Sequence, residues 1–241
     1  MRKSLAVVVV LTLFAVPLAA ESVVDEARAA LDRNDPQAAV NLLEPAVAQS
    51  PNDADAHYLL GVAYGKLAER SNVFRQASLA RRTRAEFEKA VAIDPNHVMA
   101  RMSLVEYYTL APNFFGGSIA RAQEQAAEIA RRNPASGHRA NAFIYGHLKR
   151  YDLAAAELRQ AASLEPDDMP TLFEIGHLAA VSGENLAEGQ QALEKYVGHT
   201  PSKGDPSLDQ ALDWLAQIYE REGRTADAAK ARARAERMAA R

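Results

Sequence analysis

Three features of the 241-residue sequence predict an all-α solenoid, a row of stacked helix pairs. First, Leu60, Gly61 and Tyr64 have the spacing of one helical face, and Phe87 and Ala90 continue the pattern in a second helix, which Gly61 allows to approach closely. Second, small residues and prolines recur along the chain with a period of about 34 residues. Third, aromatic residues make up only 7% of the chain, which favours close helix packing through alanine. One such helix pair cannot bury its apolar face alone, so neighbouring pairs must stack.

The repeat pattern divides the chain into a leader, residues 1–20, and one solenoid domain, residues 21–241. We place six repeats near residues 20–53, 54–97, 98–134, 135–168, 169–202 and 207–241. Pro36 suits the first turn of a second helix, and Asp53 is the expected N-cap of the helix that follows it. An alanine-rich last helix studded with arginines is polar enough to cap the end of a solenoid.

Two repeats depart from the regular length. About ten extra residues interrupt the second repeat within residues 66–84. They could lengthen both helices by about a turn and a half each or form a loop. The third repeat is interrupted at residues 111–117, where a proline and two glycines cannot continue a helix. We expect Phe114 and Phe115 there to be tucked under the solenoid, because two exposed phenylalanines would form a sticky patch.

These residues resemble the tetratricopeptide repeat family, whose pattern also explains the large residue His57 at the position where Trp is usual. The resemblance covers nearly the whole chain after the leader and is weaker in the first, third and fifth repeats. The leader, residues 86–95 and residues 111–118 together look similar to secreted bacterial members. The resemblance implies a right-handed superhelix whose first helices line a concave face.

In this family, ligands commonly lie along fixed positions of the first helices. By register those positions are occupied by Tyr58, Met102, Glu106, Arg139, Phe143, Phe173, His177 and Asp213. Mixed aromatic, methionine and charged side chains suit an extended peptide or a helix better than an anion. The Lys/Asn/Arg set with which some members clamp a terminal carboxylate is not found at these positions. Alternatively, individual residues of the set simply pack between repeats.

The leader has the layout of a secretory signal peptide. Arg2 and Lys3 precede an apolar run over residues 5–16, and a proline and small residues follow up to Ala20. An uncleaved anchor is the alternative, but the run is shorter than the roughly 20 apolar residues of a membrane span. We therefore expect cleavage after Ala20 and a periplasmic or exported protein.

Sequence patterns for chemistry other than binding are lacking. The chain has no cysteine, which excludes thiolate zinc sites and cysteine nucleophiles. Its six histidines form no metal-binding pair with carboxylates, and no nucleophile elbow, phosphate loop or dinucleotide fingerprint occurs. We expect no enzyme, no cofactor and no metal site. Without Arg2 and Lys3 the chain keeps 26 basic and 31 acidic residues, which argues against nucleic-acid binding.

Residues 66–84 form the one strongly basic stretch, with six cations and Glu69 as the single acid. Its second half belongs to a helix whose inner stripe is predicted to consist of Leu79, Thr83, Phe87 and Ala90. The default interpretation of the cations is therefore a solvated helix face. The functional alternative is a positive surface for an acidic partner or for lipid headgroups.

The sequence favours a non-catalytic protein–protein interaction scaffold or adaptor of the periplasm or cell envelope, which binds a peptide or helix in the concave groove. The alternative is a solute- or cofactor-binding protein that uses the same groove. Contact with a membrane after loss of the leader is left open.

Overall fold

The protein is an all-α solenoid, as predicted. The computed structural model describes residues 22–202 and 205–239, so the predicted leader and its cleavage site lie outside the described residues. Within these ranges the chain forms twelve α-helices and one short 3-10 turn, without a β-strand. None of these helices is long and apolar enough to cross a bilayer.

Helices that follow each other in sequence also pack against each other in space. They are α1 (Val23–Asp32), α2 (Pro36–Gln49), α3 (Ala54–Glu69), α4 (Val73–Ile93), α5 (Val98–Leu110), α6 (Ile119–Ala130), α7 (Pro134–His147), α8 (Tyr151–Leu164), α9 (Met169–Ser182), α10 (Leu186–Val197), α11 (Leu208–Arg221) and α12 (Thr225–Ala239). The 3-10 turn, Asn113–Phe115, lies between α5 and α6.

Short polar side chains start most of these helices. The Asp53 carboxylate accepts a hydrogen bond of 3.0 Å from the Ala56 amide, as the sequence predicts, and Ser118 caps α6 in the same way. Pro36 occupies the first turn of α2. Each cap satisfies an amide that would otherwise lack an intrahelical partner.

The core is built from local contacts. Three clusters of buried side chains follow one another along the chain, within residues 27–79, 87–144 and 179–235. Each cluster draws on neighbouring helices, as expected when stability is the sum of repeats and of the interfaces between them.

Gly61 is a position where α3 and α4 approach closely. A Cβ atom built on Gly61 would lie 2.6 Å from the Phe87 ring, too close for any side chain. Gly176 in α9 faces Leu193 in the same way, at 2.1 Å. The predicted role of Gly61 in helix approach is therefore confirmed.

The extra residues of the second repeat lengthen helices and do not form a long loop. Helix α4 has 21 residues and α3 has 16, whereas α7 and α8 have 14 each. Most of the insertion therefore extends α4 at its N-terminal end. The predicted inner stripe of α4 is confirmed, because Leu79, Thr83, Phe87 and Ala90 are all buried.

The expectation that Phe114 is tucked under the solenoid is wrong. Its side chain is 79% exposed, whereas Phe115 is half-buried. The reason is the tightness of the turn: the Gly117 amide donates back to the Pro112 carbonyl oxygen, and Gly116 has a φ of 93°. So short a turn keeps the Phe114 ring at the surface, where it contacts the half-buried Phe115 ring at 4.3 Å between centroids.

A repeated cluster of tyrosine, glutamate and arginine joins successive repeats. The Tyr64 hydroxyl donates to Glu44 at 2.6 Å, and the Arg82 guanidinium pairs with Glu44 and lies 4.1 Å from the centroid of the Tyr64 ring. Tyr108, Glu88 and Arg121 repeat this arrangement, again with 20 residues between glutamate and tyrosine. Tyr219, Glu194 and Arg224 form a third, looser version. Arg82 is therefore part of a junction between repeats, although half of its side chain is exposed to solvent.

Candidate binding groove

Two open cavities meet along the first helices of the middle repeats. The first, of about 430 Å³, lies between α3, α4 and α5. The second, of about 350 Å³, lies between α7, α8 and α9 and reaches back to the end of α5. Leu110 lines both cavities. We call the two cavities together the groove.

The first cavity combines an apolar floor with charged walls. Val62 and Phe87 contribute apolar surface, while Lys66, Glu69 and Glu106 surround it with charge. The Glu106 side chain on α5 is exposed to solvent, although the other residues of the first cavity lie around it. An apolar floor with a few polar groups is typical of binding sites in proteins.

The second cavity is more apolar. Phe143 and Val181 line it and are 37% and 41% exposed. His147, Glu174 and His177 supply its polar atoms. Burial lowers the pKa of His177, so the ring is held in its neutral form near neutral pH.

Two carboxylates give the groove its electrostatic character. The surrounding protein raises the pKa of Glu106 above its ordinary value of 4.5 by desolvation, and the negative charge of Glu174 raises it further. Burial also raises the pKa of Glu174, and this effect exceeds the opposing attraction of Arg139. The negative charge of Glu174 therefore acts on Glu106, although the two carboxyl groups line different cavities.

Arg139 is bound to protein carboxylates and is not available as a free cation. Its guanidinium donates two hydrogen bonds to Glu174, of 2.7 and 3.2 Å, and lies 3.6 Å from Asp168. Burial acts to lower the pKa of Arg139, but the charges of Glu174, Asp168 and Glu165 outweigh it and raise the pKa. Arg139 therefore fixes the position of Glu174 at the groove wall.

A series of aromatic contacts connects His177 with the C-terminal repeats. The ring centroids of His177 and Trp214 are 4.5 Å apart, and those of Phe173 and His177 are 6.4 Å apart. Phe173 also packs on Tyr196 at 5.3 Å. Phe173 therefore packs between His177 and Tyr196, while His177 lines the second cavity.

The eight residues predicted from the repeat register divide into three groups. Glu106, Phe143 and His177 line the groove, and Arg139 acts there through Glu174. The other four residues of the set line neither cavity; they are Tyr58, Met102, Phe173 and Asp213.

Tyr58 and Met102 are partly buried in the core. The Tyr58 ring lies 4.9 Å from His97 and 6.0 Å from Phe87 between centroids, and burial raises the pKa of its hydroxyl. Met102 packs against the cluster around Leu104. For these two residues the alternative of packing between repeats describes the structure better.

The register does not predict Leu110 and Glu174, which line the groove, or Trp214, whose ring contacts that of His177. Leu110 follows Glu106 by one helical turn, and Trp214 is the only tryptophan of the chain and adjoins Asp213. Both signals were available in the sequence. Glu174 gave no such signal, because only the fold shows that it binds Arg139 and acts on Glu106.

Among residues 22–202 and 205–239, no group of three or more His, Asp or Glu side chains is placed to hold a metal ion. The polar atoms of the groove are spread along it. Such a distribution suits contacts with an extended ligand.

Comparison with known proteins identifies two segments of the chain as tetratricopeptide repeats. Residues 24–69 and residues 142–168 each match a family profile described as tetratricopeptide repeat. No sequence among curated proteins matches the chain. The predicted resemblance to tetratricopeptide proteins is thereby confirmed.

Several solved structures have a similar fold. PilW, described as a widely conserved type IV pilus biogenesis factor, has a TM-score of 0.61 and 15% identity over 88% of this chain and 90% of its own. PilF of Pseudomonas aeruginosa has a TM-score of 0.59 and 14% identity over 90% of each chain. A thermophilic tetratricopeptide protein of Thermus thermophilus has a TM-score of 0.61 and 22% identity over 83% of this chain and 97% of its own. At these identities the likeness shows the fold alone.

Proposed function

Because the chain is a tetratricopeptide repeat protein, we propose that it acts as a non-catalytic interaction scaffold or adaptor of the periplasm or cell envelope. Proteins of this family generally bind other proteins, and the coarse assignment to protein–protein interaction follows from the fold. The proposal adds a site: the groove holds an extended peptide or a helix of the partner.

The observation that carries the proposal is the continuity of the groove across repeats. Leu110 is 58% exposed and lines both cavities, so an apolar contact bridges them. Glu106 lies on one side of this bridge, and Phe143 lies on the other. A ligand that follows the groove meets charge and apolar surface in alternation, as peptides do in helical grooves.

The charges of the groove favour a basic ligand. Glu69 and Glu106 contribute carboxylates to the first cavity, while the charge of Glu174 in the second cavity is paired with Arg139. Among the residues that line the two cavities, Lys66 alone is a lysine or arginine. We therefore expect a partner segment that presents lysine or arginine between apolar side chains.

Two further observations support a place at the cell envelope. The N-terminal residues have the layout of a signal peptide, and the similar structure PilW is described as a pilus biogenesis factor. These observations motivate the envelope assignment, and fractionation of cells that express the chain tests it. Recovery of the intact chain in the cytoplasmic fraction would contradict it.

The alternative is a small-molecule binding protein. Both cavities open to solvent, and together they run across several repeats. This shape favours an extended ligand over a compact one. A thermal-shift screen separates the two classes, because stabilisation by a small molecule and not by any peptide would favour the alternative.

Selection of peptides from a displayed random library on the purified protein tests the groove. We expect the selected peptides to combine basic and apolar residues, and their affinity to be measurable by calorimetry. Phe143→Ala and Leu110→Ser should each weaken binding by about 1–2 kcal/mol, the size typical of central interface contacts.

Leu164→Ser is the matched control, because Leu164 on α8 is 52% exposed and lines neither cavity. This substitution should leave the affinity unchanged. Selected peptides that bind the Phe143 and Leu110 variants as tightly as the wild type would refute the groove as the binding site.

A further inference from the structure

The three most exposed large hydrophobic side chains of the described residues lie in the two interruptions of the repeat pattern. Phe74 is 91% exposed, Phe114 is 79% exposed and Val73 is 71% exposed; the next, Leu110, is 58% exposed. Val73 and Phe74 begin the extended part of α4, and Phe114 belongs to the turn between α5 and α6. Exposed apolar side chains gathered in this way mark an interaction surface.

The fold brings the two interruptions together. The guanidinium of Arg84 lies directly against Gly116, where it leaves no room for a Cβ atom. The Tyr107 hydroxyl donates to the Phe115 carbonyl oxygen at 2.8 Å and holds the turn in place. The 111–117 turn is therefore supported by the extended α4.

The orientation of α4 places Phe74 on the same side as this turn. Phe74, Arg81 and Glu88 follow each other at intervals of seven residues and share one helix face. Glu88 accepts hydrogen bonds from Tyr108 on α5 and Arg121 on α6, which shows that this face is turned towards those helices. Val73 and Arg75 flank Phe74 in the first turn of α4. We call these three residues, together with Arg81 and Phe114, the insert edge.

The insert edge is positively charged on a chain whose net charge is −3. Arg82 and Arg84 have glutamate partners, at 2.6 and 3.7 Å. Arg75 and Arg81 have no carboxylate within ion-pair distance among the described residues, and both are exposed. A solvated helix face would explain why these two arginines are exposed, but it does not explain the exposure of Phe74 and Phe114.

We propose that the insert edge docks on the surface of a membrane that contains anionic phospholipids. Phe74, Val73 and Phe114 enter the boundary between headgroups and acyl chains, and Arg75 and Arg81 contact lipid phosphates. Interfacial binding needs this combination of apolar side chains and cations.

The lack of cysteine in the sequence makes a site-specific test simple. Single-cysteine chains, Phe74→Cys and Phe114→Cys, are labelled with an environment-sensitive fluorophore. They are then mixed with phosphatidylcholine vesicles with and without phosphatidylglycerol. We expect a blue shift at both positions with the anionic vesicles, and a smaller one at high salt.

Leu164→Cys, labelled in the same way, is the control and should not shift. A label at residue 74 that stays unshifted with anionic vesicles overturns the proposal. A label that responds only to an added protein extract also overturns it and assigns the edge to a protein partner.

Vesicle co-sedimentation independently measures how much the arginines of the insert edge contribute to membrane binding. Arg75→Gln and Arg81→Gln should each weaken binding to anionic vesicles about five-fold, the effect expected for one basic residue near an anionic surface. Arg234→Gln and Arg237→Gln, on α12 at the far end of the solenoid, are the matched controls and should leave binding unchanged. Because the apolar run at residues 5–16 could itself bind lipid, the comparison is made between variants of one chain.

Equal vesicle binding by the wild type and the Arg75→Gln/Arg81→Gln double variant contradicts the proposal. Phe143→Ala separates this surface from the groove, because it should weaken peptide binding and leave vesicle binding intact.

Discussion

The hairpins α3–α4 and α7–α8 differ in length, but the same kind of histidine–glutamate contact joins their two helices at the end opposite to the turn. We call this end the base of the hairpin. In the first, His57 Nδ1 lies 2.5 Å from Glu86, 29 residues further along the chain. In the second, His138 Nδ1 lies 2.6 Å from Glu157, 19 residues further along. The two spacings differ by the ten residues of the insertion, while the histidine–glutamate contact that closes the base is the same.

The difference shows where a solenoid tolerates extra chain. Insertion at the base would shift the register of every contact with the next repeat. Insertion at the turn end moves only the turn outwards and leaves the base as it is. None of residues 69–78 is buried, so this part of the hairpin was free to acquire an exposed apolar and basic surface.

The strongest test of the contrast between the packed base and the exposed extension compares two phenylalanines of α4. Phe87→Ala removes a ring that is 5% exposed and fills the space beside Gly61, and should lower the free energy of unfolding by about 3–5 kcal/mol. Phe74→Ala, in the extension, should change it by less than about 0.5 kcal/mol. Chemical denaturation measures both. Similar losses for the two variants would mean that the extension belongs to the core.

The next test compares the two histidines. The side chains of His57 and Glu86 are 4% and 11% exposed, whereas those of His138 and Glu157 are 34% and 23% exposed. His57→Ala leaves a buried carboxylate that Lys89 only partly compensates, and should cost about 3 kcal/mol. His138→Ala should cost less than about 1 kcal/mol, because water replaces the lost partner. Urea unfolding measures both costs. Equal costs would contradict the expectation that the more deeply buried histidine–glutamate pair contributes more to stability.

Substitution of a glycine in each of the two hairpins should change the free energy of unfolding by a smaller amount. Gly61→Leu overpacks the contact with Phe87 and should cost about 1–3 kcal/mol. Gly146 in α7 has no atom within 4 Å of a built Cβ, so Gly146→Ala should stabilise the protein by about 0.5–1 kcal/mol through helix propensity. Thermal unfolding distinguishes the opposite signs. An unchanged stability of Gly61→Leu would count against the packing of α3 on α4.

The smallest effect concerns Glu106, in the groove between the hairpins. Its raised pKa means that the folded chain binds this proton more tightly than the unfolded chain does. Stability is therefore lost as the pH rises from the ordinary value of 4.5 through the raised pKa. Glu106→Gln should remove this loss, so the variant should gain melting temperature relative to the wild type above that window. If the variant gained the same melting temperature at pH values below 4.5, the charge of the Glu106 carboxyl group would not be the cause of the gain.

The repeat register predicts which face of a helix a residue occupies, and a binding role for the eight residues stays a prediction. The helical period places Glu106, Phe143 and His177 on the inner faces of their helices, and all three line the groove. The same period places Tyr58 on an inner face, but its ring packs between His97 and Phe87. Period alone does not tell whether the neighbouring helix leaves a side chain room or covers it.

The sequence by itself determined the repeat pattern, the caps and the close helix approach at Gly61, because these depend on residues a few positions apart or on a fixed period. Tertiary structure alone decided the rest: that α4 absorbs the insertion, that Phe114 stays outside, and that Glu174 is bound by Arg139 and acts on Glu106. Each of these outcomes depends on the distance between side chains of different helices. That distance is set by the packing of whole helices, which no local pattern in the sequence encodes.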